Sequence, residues 1–281
     1  MKIATKPFSM RARRPGGALR VSCGLLLLIA AAAHAQDENK HPAIPSDDIE
    51  DHASLGRADS PRTAQDLARD ADEKAAAIVT FAAVEPRKTV ADLRARDGYL
   101  TEVLALAAYP YGKVFANNDP DSLGAADAQA WSARLDGPEL SDTARLDLPL
   151  ASPLPQYAIG LDVVVSAGAY ADAIRRNIDR KAMNASVMQA LAPGGLYVIA
   201  DARAAAGPGD GAALCRTSEK QVRAEVESAG FTFVEAGNAL SEAGDKHTAS
   251  ACQPTRGQAP DRFLLKFKKP ASQPGTALPL K

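Results

Sequence analysis

Residues 160–168 read Gly-Leu-Asp-Val-Val-Val-Ser-Ala-Gly, an apolar run of strand length closed by glycine at both ends. A strand with one face in water alternates apolar and polar residues. A nearly continuous run belongs to a strand covered on both faces, which is the condition of a parallel sheet with helices above and below it. Shorter runs of the same kind recur as "TVADL" at 89–93, "GKVFANN" at 112–118, the weaker "RLDLPL" at 145–150 and "GLYVIADA" at 195–202. Helical segments are expected between them at 99–108, 127–135 and 179–191, the last stopped by Pro193-Gly194-Gly195. Alternation of this kind specifies an α/β fold wound around a mostly parallel sheet.

The end of the domain departs from the alternation. A helix at 218–229 leads to "FTFVEAG" at 231–237, and a long loop without a helix leads to "DRFLLKFKK" at 261–269. Two strands joined without a crossover helix pair antiparallel, so they are placed at one sheet edge. Upstream, Ser60-Pro61 is expected to open a helix to about residue 83, with Leu67, Ala71, Ala75, Ile78 and Phe81 on one face. The folded unit is a single domain at 60–269 with a seven-stranded, mostly parallel sheet and an antiparallel edge.

The segments outside that domain have other characters. Residues 1–35 combine six basic side chains, no acidic one, a short apolar run from Leu25 to Ala33, and an Ala33-His34-Ala35 end. That is the pattern of a cleaved secretory signal peptide, with the mature chain starting at Gln36 in the periplasm or outside the cell. The apolar run is too short for a membrane span, which needs about 20 residues. Residues 36–59 form a polar leader and 270–281 a tail rich in Pro, Gly and Ser, both expected to be disordered.

Cleavage changes the charge. The 33 basic residues fall to 27 against 34 acidic ones. An acidic chain argues against nucleic acid or an anionic membrane surface as partner and leaves a small molecule or a protein. Of the three cysteines, Cys215 and Cys252 remain, and a pair in an oxidising compartment reads as a disulfide. His247 near Cys252 lacks further ligands, so no metal is expected. Gly207-Pro208-Gly209-Asp210-Gly211 imitates a phosphate loop, but its proline removes an N–H and no helix follows at once, so it reads as a plain loop. Trp131, the single tryptophan, reads as packing on an Ala-rich helix.

Several stretches together carry a resemblance: "TVADL" and "GYLTEVLA" around the first loop, "GKVFANN", "DRKAMNASVMQALAPGGLYVIAD", "VRAEVESAGF" and "DKHTASACQPTRGQAPDRFLLKFKKP". Over residues 60–269 the chain resembles class I S-adenosylmethionine-dependent methyltransferases, in particular an exported bacterial branch. The resemblance implies a Rossmann-like fold and S-adenosylmethionine as cofactor. It assigns Asp92 and Gly98 to the loop after the first strand and Asn117 to the ribose hydroxyls at the end of the second. Asp172, Asp201 and His247 become the candidates for proton transfer.

The same resemblance exposes departures. Arg94, Arg96 and Asp97 stand where that branch has glycine, and side chains there intrude where bare backbone meets the cofactor. Histidines of the branch are replaced in Tyr170-Ala171-Asp172, Asp201-Ala202-Arg203 and Leu214-Cys215-Arg216. Two readings follow: a methyltransferase with lost or altered activity, or a non-catalytic binding module. Arg94 and Arg96 beside a helix start are either an anion site or solvated surface groups.

Overall fold

A computed structural model describes residues 62–206, 211–252, 254–255 and 257–271. The expected signal peptide and leader, Ser60-Pro61, most of the Gly207–Gly211 stretch and all but the start of the tail lie outside the described residues. The sheet holds β1 (Thr89–Asp92), β2 (Lys113–Asn117), β3 (Thr143–Leu146), β4 (Leu161–Ala167), β5 (Leu191–Ala202), β6 (Thr232–Gly237) and β7 (Arg262–Lys268) in the order β3-β2-β1-β4-β5-β7-β6. The first five strands pair parallel, and β7 pairs antiparallel with both β5 and β6. The fold is therefore the α/β Rossmann-like arrangement expected, with the antiparallel pair at one side of the sheet and β6 outermost.

Both faces of the sheet are covered. On one face Ala91, Val164, Tyr197, Ile199 and Leu265 pack with Met183 and Val187 of α6 (Arg180–Ala190) and Val222 and Val226 of α7 (Glu219–Ser228). On the other, Val90, Val163, Val165 and Val198 pack against Val103 and Leu104 of α3 (Tyr99–Ala108), with Trp131 of α4 (Ala125–Leu135) fully buried alongside. The valines of β4 thus divide between two cores, which is why its sequence is apolar without alternation.

Some elements differ from expectation. The helix placed at 60–83 is two helices, α1 (Ala64–Glu73) and α2 (Ala75–Phe81), broken where Lys74 turns left-handed at φ 50°. Thr63, not Ser60, caps α1, its hydroxyl accepting from the Asp66 N–H at 3.1 Å. A short helix, α5 (Ala169–Arg175), has no counterpart among the expected elements. Strand β3 lies at 143–146, two residues ahead of its expected start, and beyond its end Asn117 holds the Leu148 backbone. Strand β5 begins before Pro193, and the Pro-Gly-Gly step becomes a register irregularity inside it rather than a boundary.

Candidate functional site

The parallel strands point their C-terminal ends toward one cleft of about 760 Å³. Such a volume is in the range of small-molecule sites, and the carboxyl edge of an open α/β sheet is where they form. Its floor is built from small residues at the ends of β4 and β5, Ala167, Gly168, Ala200 and Ala202, with Ala171 of α5. The loop after β1 supplies Arg94 to Asp97, α1 supplies Arg69, Asp72 and Glu73, and the far wall is made of Cys215, Cys252, Pro254, Thr255, Ala259 and Pro260.

An ion network fixes α1 against the first loop. Arg69 donates to Asp97 at 2.5 Å, and its guanidinium lies 4.2 Å from the Tyr99 ring centre. Arg134 of α4 binds both Asp66 oxygens at 2.9 and 3.0 Å, holds the Asp97 carbonyl at 2.9 Å and forms a close ion pair with Glu102. Burial raises the Asp66 carboxyl, but the Arg134 hydrogen bonds outweigh it and hold the group below its ordinary range. For Glu102 burial prevails and the carboxyl is raised.

Asp92 is fully buried at the end of β1 and does not line the cleft. One oxygen accepts from Thr101 Oγ1 at 2.8 Å and the other from the Arg94 N–H at 3.2 Å. Burial, only partly offset by these donors, pushes its carboxyl up to about 6. Gly98 caps α3 at φ +84°, and a Cβ there would lie 2.6 Å from Cε3 of Trp131. Asn117, also fully buried, exchanges hydrogen bonds with the Leu148 backbone, donating at 3.1 Å and accepting at 3.0 Å. Asn118 does the same with Arg96, donating at 3.0 Å and accepting at 2.7 Å, so the second-strand asparagines brace loops.

Asp172 and Asp201 are brought together with Arg94 in the cleft. Asp201 accepts N–H groups from Ala171 and Ala202, both at 3.0 Å, and its burial pushes the carboxyl up to about 6 against them. Asp172 receives Arg175 at 2.6 Å and Arg176 at 3.4 Å, with Arg94 Nε at 4.0 Å. Burial lowers the pKa of Arg94. His247 lies apart from the cleft lining, with Nε2 3.0 Å from Asp261, which also receives Arg203 Nε at 2.9 Å. Burial favours protonation of Asp261, yet the Glu242 N–H and the His247 and Arg203 contacts hold its carboxyl low.

Cys215 and Cys252 form the expected disulfide, with Cα atoms 5.2 Å apart. Both loop arginines line the cleft; Arg96 is exposed and pairs with Asp127 at 3.4 Å, whereas Arg94 is partly buried. Arg69, Arg175 and Arg262 complete the cleft's cations, and no sequence signal singled them out. They come from helices and a strand far apart in the chain. Among the described residues no three His, Cys, Asp or Glu side chains group as metal ligands, and no helix is long and apolar enough to cross a membrane.

No protein-family model matches the chain, and no curated protein matches it. Among solved structures the chain is similar to a SAM dependent methyltransferase from Aquifex aeolicus, at 13% identity and TM-score 0.51, over 78% of this chain and 98% of that one. It is also similar to the (4+2)-cyclase SpnF, at 12% identity and TM-score 0.54, over 72% of this chain and 82% of that one. The fold is that of the class I methyltransferases.

Proposed function

We propose that this chain is an exported protein of the methyltransferase fold whose cleft no longer serves S-adenosylmethionine and instead binds another small molecule without catalysis. The observation that carries the reading is Arg94. Its guanidinium occupies the cleft beside Gly168, where a Cβ would come within 3.2 Å of Nη1. A cation in that position opposes a cofactor whose sulfonium is itself positive.

Three further features support it. Asp92 and Asn117, the acid and amide that the fold would turn toward the cofactor, have their polar atoms engaged by Thr101, Arg94 and Leu148. Gly98 meets an indole, so its missing side chain accommodates packing. The fold by itself does not dictate methyl transfer, since one similar structure is named a cyclase. Export rests on the basic, apolar and A-x-A pattern of residues 1–35.

Calorimetry with S-adenosylmethionine tests the reading. The wild-type chain is expected to give no micromolar binding, and the triple variant R94G/R96G/D97G to gain measurable affinity. Micromolar binding by the wild type overturns it. Intact mass of protein recovered from the periplasm tests export, with Gln36 as the expected first residue; a cytoplasmic chain retaining Met1 refutes that part.

A further inference from the structure

The cleft is lined by five arginines, and four of them have a carboxylate partner closer than 4.0 Å. Arg69 pairs with Asp97 at 2.5 Å, Arg175 with Asp172 at 2.6 Å and Arg96 with Asp127 at 3.4 Å. Arg262 lies 3.7 Å from Glu73 and donates to the carbonyls of Asp72 and Glu73 at 2.8 and 3.0 Å. Arg94 differs. Among the described residues its guanidinium makes no hydrogen bond, and its nearest carboxylate oxygen is that of Asp172 at 4.0 Å.

Asp172 cannot serve Arg94 fully, because three guanidinium groups converge on it. Arg175 and Arg176 take its oxygens at 2.6 and 3.4 Å before Arg94 is reached. Asp201, the other carboxyl nearby, already accepts two backbone N–H groups. The result is a local excess of positive charge on a side chain only 27% exposed. A guanidinium offers five donors in a planar fork that matches carboxylate or phosphate oxygens in pairs. Leaving such a group largely withdrawn from water with only a long ion pair to a shared carboxylate is costly. Around it the floor is apolar and small, Ala167, Ala171, Ala200 and Ala202, with Ile78 on the same cleft surface.

We infer that the cleft takes a small organic anion, an apolar body resting on the alanine floor and a carboxylate or phosphate held by the Arg94 guanidinium. This rests on the reading of the cleft as a small-molecule site no longer used by S-adenosylmethionine, and it names the chemistry of the occupant.

The test is calorimetry of the purified chain with benzoate, phenyl phosphate, inorganic phosphate and the neutral analogue benzamide, repeated on R94Q and R94K. Saturable binding of benzoate or phenyl phosphate is expected, with benzamide silent. R94Q should weaken binding by about tenfold or more, the scale of one charge-assisted hydrogen bond, and R94K should fall between it and the wild type. Preference for benzoate identifies a carboxylate, preference for phenyl phosphate a phosphoryl group. Absence of any anion binding at millimolar concentration overturns the inference, as does binding that R94Q leaves unchanged. Should R94Q fail to fold by circular dichroism, R94K decides, since full affinity in that variant excludes a paired fork. S-adenosylmethionine is titrated separately. Micromolar binding there defeats the preceding reading, whereas failure of the anions alone defeats only this one.

Discussion

Gly98 and Trp131 are packed against each other so closely that a single methyl group on the glycine would lie 2.6 Å from the indole. The last glycine of the first loop is therefore required by the second core and by its own φ of +84°. Gly98→Ala combines left-handed strain with overpacking, and a loss of about 2–4 kcal/mol in unfolding free energy is expected. Urea denaturation measures it; a loss below about 1 kcal/mol would mean that Trp131 moves aside freely.

Arg96 and Asp97 should respond differently to glycine. Arg96 is left-handed at φ 52°, so glycine relieves strain while adding entropy to the unfolded chain, and Arg96→Gly should stay within about 0.5 kcal/mol of wild type. Asp97 has no positive φ and holds Arg69 at 2.5 Å, so Asp97→Gly should cost about 1–2 kcal/mol. Paired urea midpoints decide, and equal effects would contradict the backbone assignment.

Asp92 provides a pH signature. Its folded carboxyl is raised from 3.8 to about 6, so the folded state holds its proton more tightly than the unfolded chain does. The contribution is favourable below about 3.8 and is lost as pH rises through about 6. Asp92→Asn can accept from the Arg94 N–H through its amide oxygen and donate its NH2 to the Thr101 hydroxyl, and it cannot ionise. It should be more stable than wild type at pH 7.5, by an amount on the order of 1–3 kcal/mol, and the gain should vanish near pH 4. Thermal melts across that window check it, and a gain independent of pH would refute the cause.

The Cys215–Cys252 bond closes a loop with a separation of 37 residues. Reduction, or the double change C215A/C252A, should remove about 3–4 kcal/mol of stability. Comparing urea midpoints with and without reductant measures this, and non-reducing peptide mapping of the purified, unreduced chain should find no free thiol at either position.

The fold was legible where periodicity was strong. The run at 160–168 announced a strand buried on both faces, and β4 divides its valines between the two cores. Legibility failed where short-range signals were silent or misleading. Nothing at Lys74 marks a break, since lysine favours helix, yet its backbone is left-handed there. The seven residues of α5 are too few to show a helical period. The Pro-Gly-Gly step after α6 announced a boundary but was absorbed within β5, whose neighbour β4 shifts register there. At the cleft, Arg94, Asp172 and Asp201 could be nominated from their strand ends. The three-arginine crowding around Asp172 could not, because Arg175 ends, and Arg176 caps, a helix the sequence did not reveal.

The place of β7 has a consequence for how the molecule comes into being. Residues 262–268 are the last strand among the described residues, yet they lie between β5 and β6 and bond to both. A nascent or clipped chain ending before Arg262 would leave β5 and β6 facing each other across a missing strand, each with an open row of backbone donors and acceptors. Closure of the sheet must wait for the C-terminal segment, and the long-range pairing it needs is intrinsically slow. The sheet cannot be completed until its final strand has followed the rest.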